Sequence, residues 1–148
     1  MYIILRLSLM LDKSIIGKLR MFSWGGSYGI YYAVLFGSIV RRGGFGEDVD
    51  IAVEFMGGLD LGRYSRLLFD LFDYLGTDKV DLVPIGDNTD CYLIHEVFSD
   101  GVILYMAGDD AWLRMHRRAS ICEDFLIDAR KLDLVVNAGK ALVMRWRS

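Results

Sequence analysis

The chain has 148 residues, 17 Lys+Arg against 20 Asp+Glu, a formal net charge of −3 and 53% apolar residues. That apolar share excludes a disordered chain, and the mild acidity argues against a nucleic acid as a direct charge-driven ligand, which would need a clustered basic surface. Two cysteines exclude a disulfide scaffold and fit a cytoplasmic protein, and the length fits one domain over residues 1–148. Mean hydropathy is +0.30, high for a domain in water, which suggests apolar surface covered by a partner or a second copy. Gln is absent and Asn occurs only as Asn88 and Asn137, a depletion of thermolabile amides that hints at a thermophilic source.

Taken in chain order, the run Met1 to Leu11 is split by Arg6 and lacks a small-residue cleavage site, so it is unlike a signal peptide. Residues 11–24 read as a helix: Leu11, Ile15, Ile16, Leu19 and Phe22 recur at spacings of three and four, and Gly25, Gly26 and Gly29 end it. Met21 to Val40 has no charged residue, yet Gly25, Gly26, Ser27, Gly29, Gly37 and Ser38 break it, so it is not a bilayer span. Tyr31–Phe36 reads as a strand closed by Gly37-Ser38. Val49–Phe55 alternates, with Val49, Ile51, Val53 and Phe55 on one face and Asp48, Asp50, Ala52 and Glu54 on the other, the pattern of a half-buried strand. Leu61–Leu75 is an amphipathic helix, Val80–Ile85 a third strand, 91–99 a short helix and Val102–Tyr105 a small strand. A long helix starts at Asp109, with a stripe of Trp112, Met115, Ala119, Cys122, Leu126 and Ala129. The fold class is therefore α/β (α+β): a small mixed sheet with helices packed on it, a core over about 30–105 and a helical C-terminal part over about 109–146.

Chemistry concentrates in residues 37–55. Asp48 and Asp50 are two apart on a strand, so their carboxylates leave one face about 6–7 Å apart. Asp81 is a third carboxylate inside an apolar strand. If the two strands are neighbours, three carboxylates share one site, the arrangement that holds hard divalent cations and clamps a transferring phosphoryl group. An Asp-x-Asp alone is an ordinary solvated face. The Gly37-Ser38 pair changes its meaning, because glycine lets backbone approach a phosphate and serine adds a hydroxyl donor. Arg41 and Arg42 follow, suited to phosphate oxygens. Elsewhere, Cys91, His95, His116 and Cys122 lack the spacing of a structural zinc site. Arg114, Arg117 and Arg118 read as a solvated helix face.

At these residues the sequence resembles the DNA polymerase β-like nucleotidyltransferases, and more closely the minimal nucleotidyltransferases of archaea and bacteria. Their pattern is Gly-Ser, about ten residues, Asp-x-Asp, then a third Asp on a later strand. Here nine residues separate Ser38 from Asp48, and Glu47 stands where the family usually has Ser. The resemblance implies that Asp48, Asp50 and Asp81 are catalytic and bind Mg²⁺ or Mn²⁺. It also implies that Gly37, Ser38, Arg41 and Arg42 hold an NTP, with ATP the expected one. The implied reaction joins AMP to an acceptor hydroxyl and releases pyrophosphate. Similar small proteins act as antitoxins beside HEPN-type ribonucleases, so the acceptor is expected on a small all-helical partner. The competing expectation is a non-catalytic antitoxin-like module that neutralises such a partner by binding alone.

Overall fold

The structure, a computed structural model, describes residues 15–43 and 48–147. Its elements are a helical segment α1 (residues 15–20), β1 (Ile30–Phe36), α2 (Ser38–Arg41), β2 (Val49–Phe55), α3 (Leu61–Leu75), β3 (Val80–Pro84), α4 (Cys91–Asp100), β4 (Val102–Met106) and α5 (Asp109–Arg147). Residues 11–14 of the expected first helix, and Glu47, lie outside the described residues. Within them that helix ends earlier than expected, at residue 20, and a bend and turns follow. The uncharged stretch from Met21 becomes a loop, a strand and one short helical turn, and among the described residues no helix is long and apolar enough to cross a membrane.

The four strands form one sheet in the order β3-β2-β1-β4. β1 is antiparallel to β2 and to β4, whereas β2 and β3 are parallel and joined through α3, because a parallel pair needs a crossover and not a hairpin. The amphipathic α3 starts where the Asp60 carboxylate accepts from the backbone N–H of Gly62 at 2.9 Å. It ends at Gly76, whose φ of 69° is the left-handed conformation glycine reaches without a Cβ penalty.

Side chains alternate to opposite faces of a strand, and both faces of this sheet are covered. Leu35, Ile51, Val53 and Leu82 pack with Leu19 and Trp24, and with Leu67 and Leu71 of α3. Tyr32, Val34, Phe36 and Ala52 pack under Ile94 and Val97 of α4 and Met115 and Cys122 of α5. This corrects the expectation of a half-buried β2: Ala52 and Glu54, on its supposed solvent face, are buried, because α4 and α5 cover that face. The α5 stripe is also shifted. Ala111, Met115 and Cys122 face inward while Trp112 is exposed and stacks on His116 with ring centroids 5.0 Å apart.

Candidate active site

The site forms where β1 ends and β2 and β3 begin. Phe36 is the register partner of Asp50, and Asp50 is the partner of Asp81 on the parallel strand β3. Register partners on adjacent strands present their side chains on the same face, so Asp50 and Asp81 meet there, and Asp48 lies two residues before Asp50. Asp50 is half-buried; Asp48 and Asp81 are exposed. Burial pushes the Asp50 carboxyl above its ordinary pKa. Asp81, Asp48 and Glu96 push it further in the same direction, and Arg41 opposes them.

Gly37 sits directly against this carboxylate. Its φ is 85°, a conformation that L side chains rarely adopt, and a Cβ there would collide with Asp50 Oδ2. The glycine therefore makes room for the aspartate as well as leaving a bare backbone beside it. Ser38 opens the single turn of α2, a helix absent from the sequence reading. Arg41 ends that turn, with its guanidinium 3.5 Å from the Glu96 carboxylate of α4. Arg42 is exposed at the C-cap of α2 and is not among the groups acting on Asp50. The structure thus brings Gly37, Arg41, Asp48, Asp50 and Asp81 together and leaves Arg42 at the margin.

Glu96 stands beside the candidate site, near Arg41 and acting on Asp50, and sequence reasoning missed it. It lies on a helix more than 40 positions beyond Asp50, and a Glu in a short amphipathic helix carries no local signal of its own. Among the described residues no three His, Cys, Asp or Glu side chains are gathered as a preformed metal cage. The donor chemistry nonetheless fits a hard cation: carboxylate oxygens on one face, with Asp50 held above its ordinary pKa partly by other acids, are what a divalent ion relieves.

The far end of β2 carries a different carboxylate. Glu54 is 2% exposed. It accepts hydrogen bonds from Tyr32 Oη at 2.7 Å, from Arg118 Nε at 3.0 Å and Nη2 at 3.1 Å, and from Arg114 Nε. Burial alone would raise its pKa, but those hydrogen bonds outweigh burial and hold it below the usual range. Arg118 also reaches Asp87 at 2.8 Å, and Arg114 lies over the Tyr31 ring at 4.6 Å. Two arginines expected on a solvated face are in fact bound to a buried acid, because α5 crosses the sheet at that point. The zinc site weighed above is also absent. Cys91 and Cys122 are bonded to each other.

A mixed sheet with a glycine-backed Asp pair and a third Asp in register on the neighbouring strand defines the class: a nucleotidyltransferase. The chain belongs to the polymerase beta nucleotidyltransferase family, whose pattern matches residues 26–110. Its fold is similar to that of a chain in a toxin–antitoxin complex with AMP-PNP, at 24% identity and TM-score 0.57, over 84% of this chain and 97% of that one. A chain of a Shewanella oneidensis complex, a tri-AMPylated HEPN toxin with MNT antitoxin, is 23% identical with TM-score 0.54, over 87% and 98%. A chain of the MntA-HepT toxin–antitoxin is 24% identical with TM-score 0.53, over 86% and 97%. At such identities the likeness shows the fold alone. Among curated proteins none matches the chain.

Proposed function

We propose that this nucleotidyltransferase moves AMP from ATP to a hydroxyl of a small all-helical HEPN-type partner protein, with Mg²⁺ or Mn²⁺ held by Asp48, Asp50 and Asp81. The observation that carries the reading is the register pair Asp50–Asp81 beside Gly37. The bound cation would neutralise phosphate charge and make the acceptor hydroxyl more acidic. The chain's own residues do the rest. Gly37 presents bare backbone, and Ser38 Oγ donates to a phosphate oxygen. Arg41, already beside Asp50, offers its guanidinium to the triphosphate. Asp81, exposed at the edge strand β3, accepts the proton of the attacking hydroxyl. The hydroxyl oxygen bonds to the α-phosphorus, the bond to the β-phosphate breaks, and pyrophosphate leaves. Positioning and charge supply the catalysis.

Two further observations support this choice of acceptor. The similar complexes hold an AMPylated toxin and an ATP analogue. Leu113, Ile121, Phe125, Ile127 and Leu132 stand exposed along α5, the apolar surface that the high hydropathy called for and that a protein partner covers. A cytoplasmic site of action belongs to the same reading. The test is incubation of the chain with α-labelled ATP, Mg²⁺ and the product of the neighbouring gene, where that gene encodes a small all-helical protein. Label is expected on the partner and its loss in Asp50→Asn, with thermal unfolding showing that the variant is folded. Equal labelling by Asp50→Asn overturns the reading. No labelling by wild type, with full protection of cells by Asp48→Asn/Asp50→Asn, replaces it with neutralisation by binding alone.

A further inference from the structure

Beyond the Asp50 site, the molecule holds a covalent link that nothing in the transfer reaction uses. Cys91 and Cys122, the two cysteines of the chain, are joined across α4 and α5, 31 residues apart in sequence. Cys91 is the first residue of α4 and half-buried; Cys122 is buried on the inner face of α5. Both line a cavity of about 260 Å³, shared with Asp87, Arg114, Arg117 and Arg118, where Asp87 pairs with Arg118. Arg114 and Arg118 are bound to Glu54. Arg117 makes no ion pair or hydrogen bond with any described residue, so its full charge faces the cavity and the solvent. The disulfide therefore opens into a cavity where the Arg117 charge is not offset by an ion pair among the described residues, and thiolates form and leave best where cations and helix N-termini stabilise them.

We propose that Cys91–Cys122 is a redox modification site, opened and closed by exchange with an external dithiol through this arginine-lined cavity, and that its state sets how firmly α5 is held on α4. The incoming thiolate attacks the more exposed Cys91 Sγ. A mixed disulfide forms there, the Cys91–Cys122 bond breaks, and its electron pair leaves on Cys122 Sγ, in the cavity that Arg117 also lines. The second thiol of the dithiol then attacks its own mixed sulfur and releases Cys91 as a thiolate at the N-terminus of α4. Each cysteine takes one proton. The dithiol is oxidised by two electrons, and the protein disulfide is reduced by the same two. Re-formation is the reverse, driven by a disulfide-form oxidant of the same class.

The consequence falls on the part of α5 after Cys122. Before it, Arg114 and Arg118 tie α5 to Glu54 independently of the sulfurs. Beyond it, Leu126, Ile127 and Arg130 of α5 line a groove together with Tyr92 and His95 of α4, with no hydrogen bond or ion pair joining α4 to this stretch among the described residues. Reduction therefore loosens residues 123–133 and leaves the sheet and the Asp50 site in place. This inference stands apart from the AMP-transfer reading.

The test uses the full chain purified without reductant, dithiothreitol as the probe, and iodoacetamide labelling read by mass. No label is expected before reductant, and two labels after brief native treatment. Arg117 is exposed, so its replacement does not threaten folding. Arg117→Glu should slow native reduction about tenfold at low salt, an effect that shrinks at high salt. Hydrogen exchange should quicken in residues 123–133 on reduction, and Cys91→Ser/Cys122→Ser should match the reduced form. Label entering before reductant overturns the proposal. So does reduction that occurs only after denaturation, which marks an inert staple, or a rate unmoved by Arg117→Glu. Exchange in residues 123–133 indifferent to reduction overturns the hold on α5.

Discussion

The two ends of β2 place a carboxylate on the same face of the same strand, four residues apart, and treat it in opposite ways. Asp50 is half-buried among Asp48, Asp81 and Glu96, with one arginine nearby, and its pKa is raised, first by burial and then by those acids. Glu54 is almost wholly buried, yet Arg118, Arg114 and Tyr32 saturate it and its pKa is lowered. Depth of burial therefore does not separate a structural acid from a site acid. Compensation does. A buried charge with two guanidinium partners is settled and anchors α5 to the sheet. A half-buried charge among other acids is left uncompensated, the kind of perturbed acid found at functional sites, and under the proposed function a cation would settle it.

The largest effect should come from the settled end. Glu54→Gln leaves Arg114 without its acid and Arg118 with Asp87 alone, so the loss should fall below the ~3–5 kcal/mol of a fully buried broken pair, because solvent reaches Arg114. Denaturant unfolding should show that loss, while Arg118→Met, which leaves Glu54 with Arg114 and Tyr32, should cost less. A Glu54→Gln protein as stable as wild type would mean that Glu54 is not the anchor.

Next comes the glycine beneath Asp50. Gly37→Ala puts an L side chain at φ 85°, a strain of about 1–3 kcal/mol, and drives its Cβ into the Asp50 carboxylate. Thermal unfolding should register the strain, and AMP transfer should fall further than stability does. Transfer retained at wild-type rate would show that Asp50 tolerates displacement.

The pH dependence should separate the two acids by sign. Glu54 has a depressed folded pKa, so its contribution is present above the ordinary carboxylate pKa and is lost as pH falls through the lowered value. Asp50 has a raised folded pKa, so stability is lost as pH rises through that value. Glu54→Gln should flatten the acid limb of a stability–pH curve. Asp50→Asn should instead remove a decline between acid and neutral pH. Identical curves for the two variants would dissolve the comparison.

The smallest effect is a null or slight gain. With EDTA present, Asp48→Asn/Asp50→Asn removes like-charge repulsion at little change of shape, so its melting temperature should equal or exceed that of wild type. A clear drop would assign the pair a structural role.

Local pattern determined much of this protein. The bounds of β2 and α3 are those read from alternation and from leucine spacing, because burial on a sheet face or a helix stripe writes a period into the sequence. The candidate set Gly37, Ser38, Asp48, Asp50 and Asp81 could be named from sequence for a similar reason: the proposed chemistry needs certain residue types at strand ends, and four of the five lie within 14 positions. What the pattern could not carry was which elements land on which. Glu54 looked like a solvent-facing residue because the helix that buries it starts more than 50 positions later. Arg114 and Arg118 looked solvated because their acid lies at that same distance. Glu96 came to stand beside the candidate site, Trp112 turned outward and Cys91 met Cys122 for one physical reason. Each depends on how α4 and α5 dock across the sheet, and that docking is decided by the summed packing of the whole face and by no short stretch of sequence.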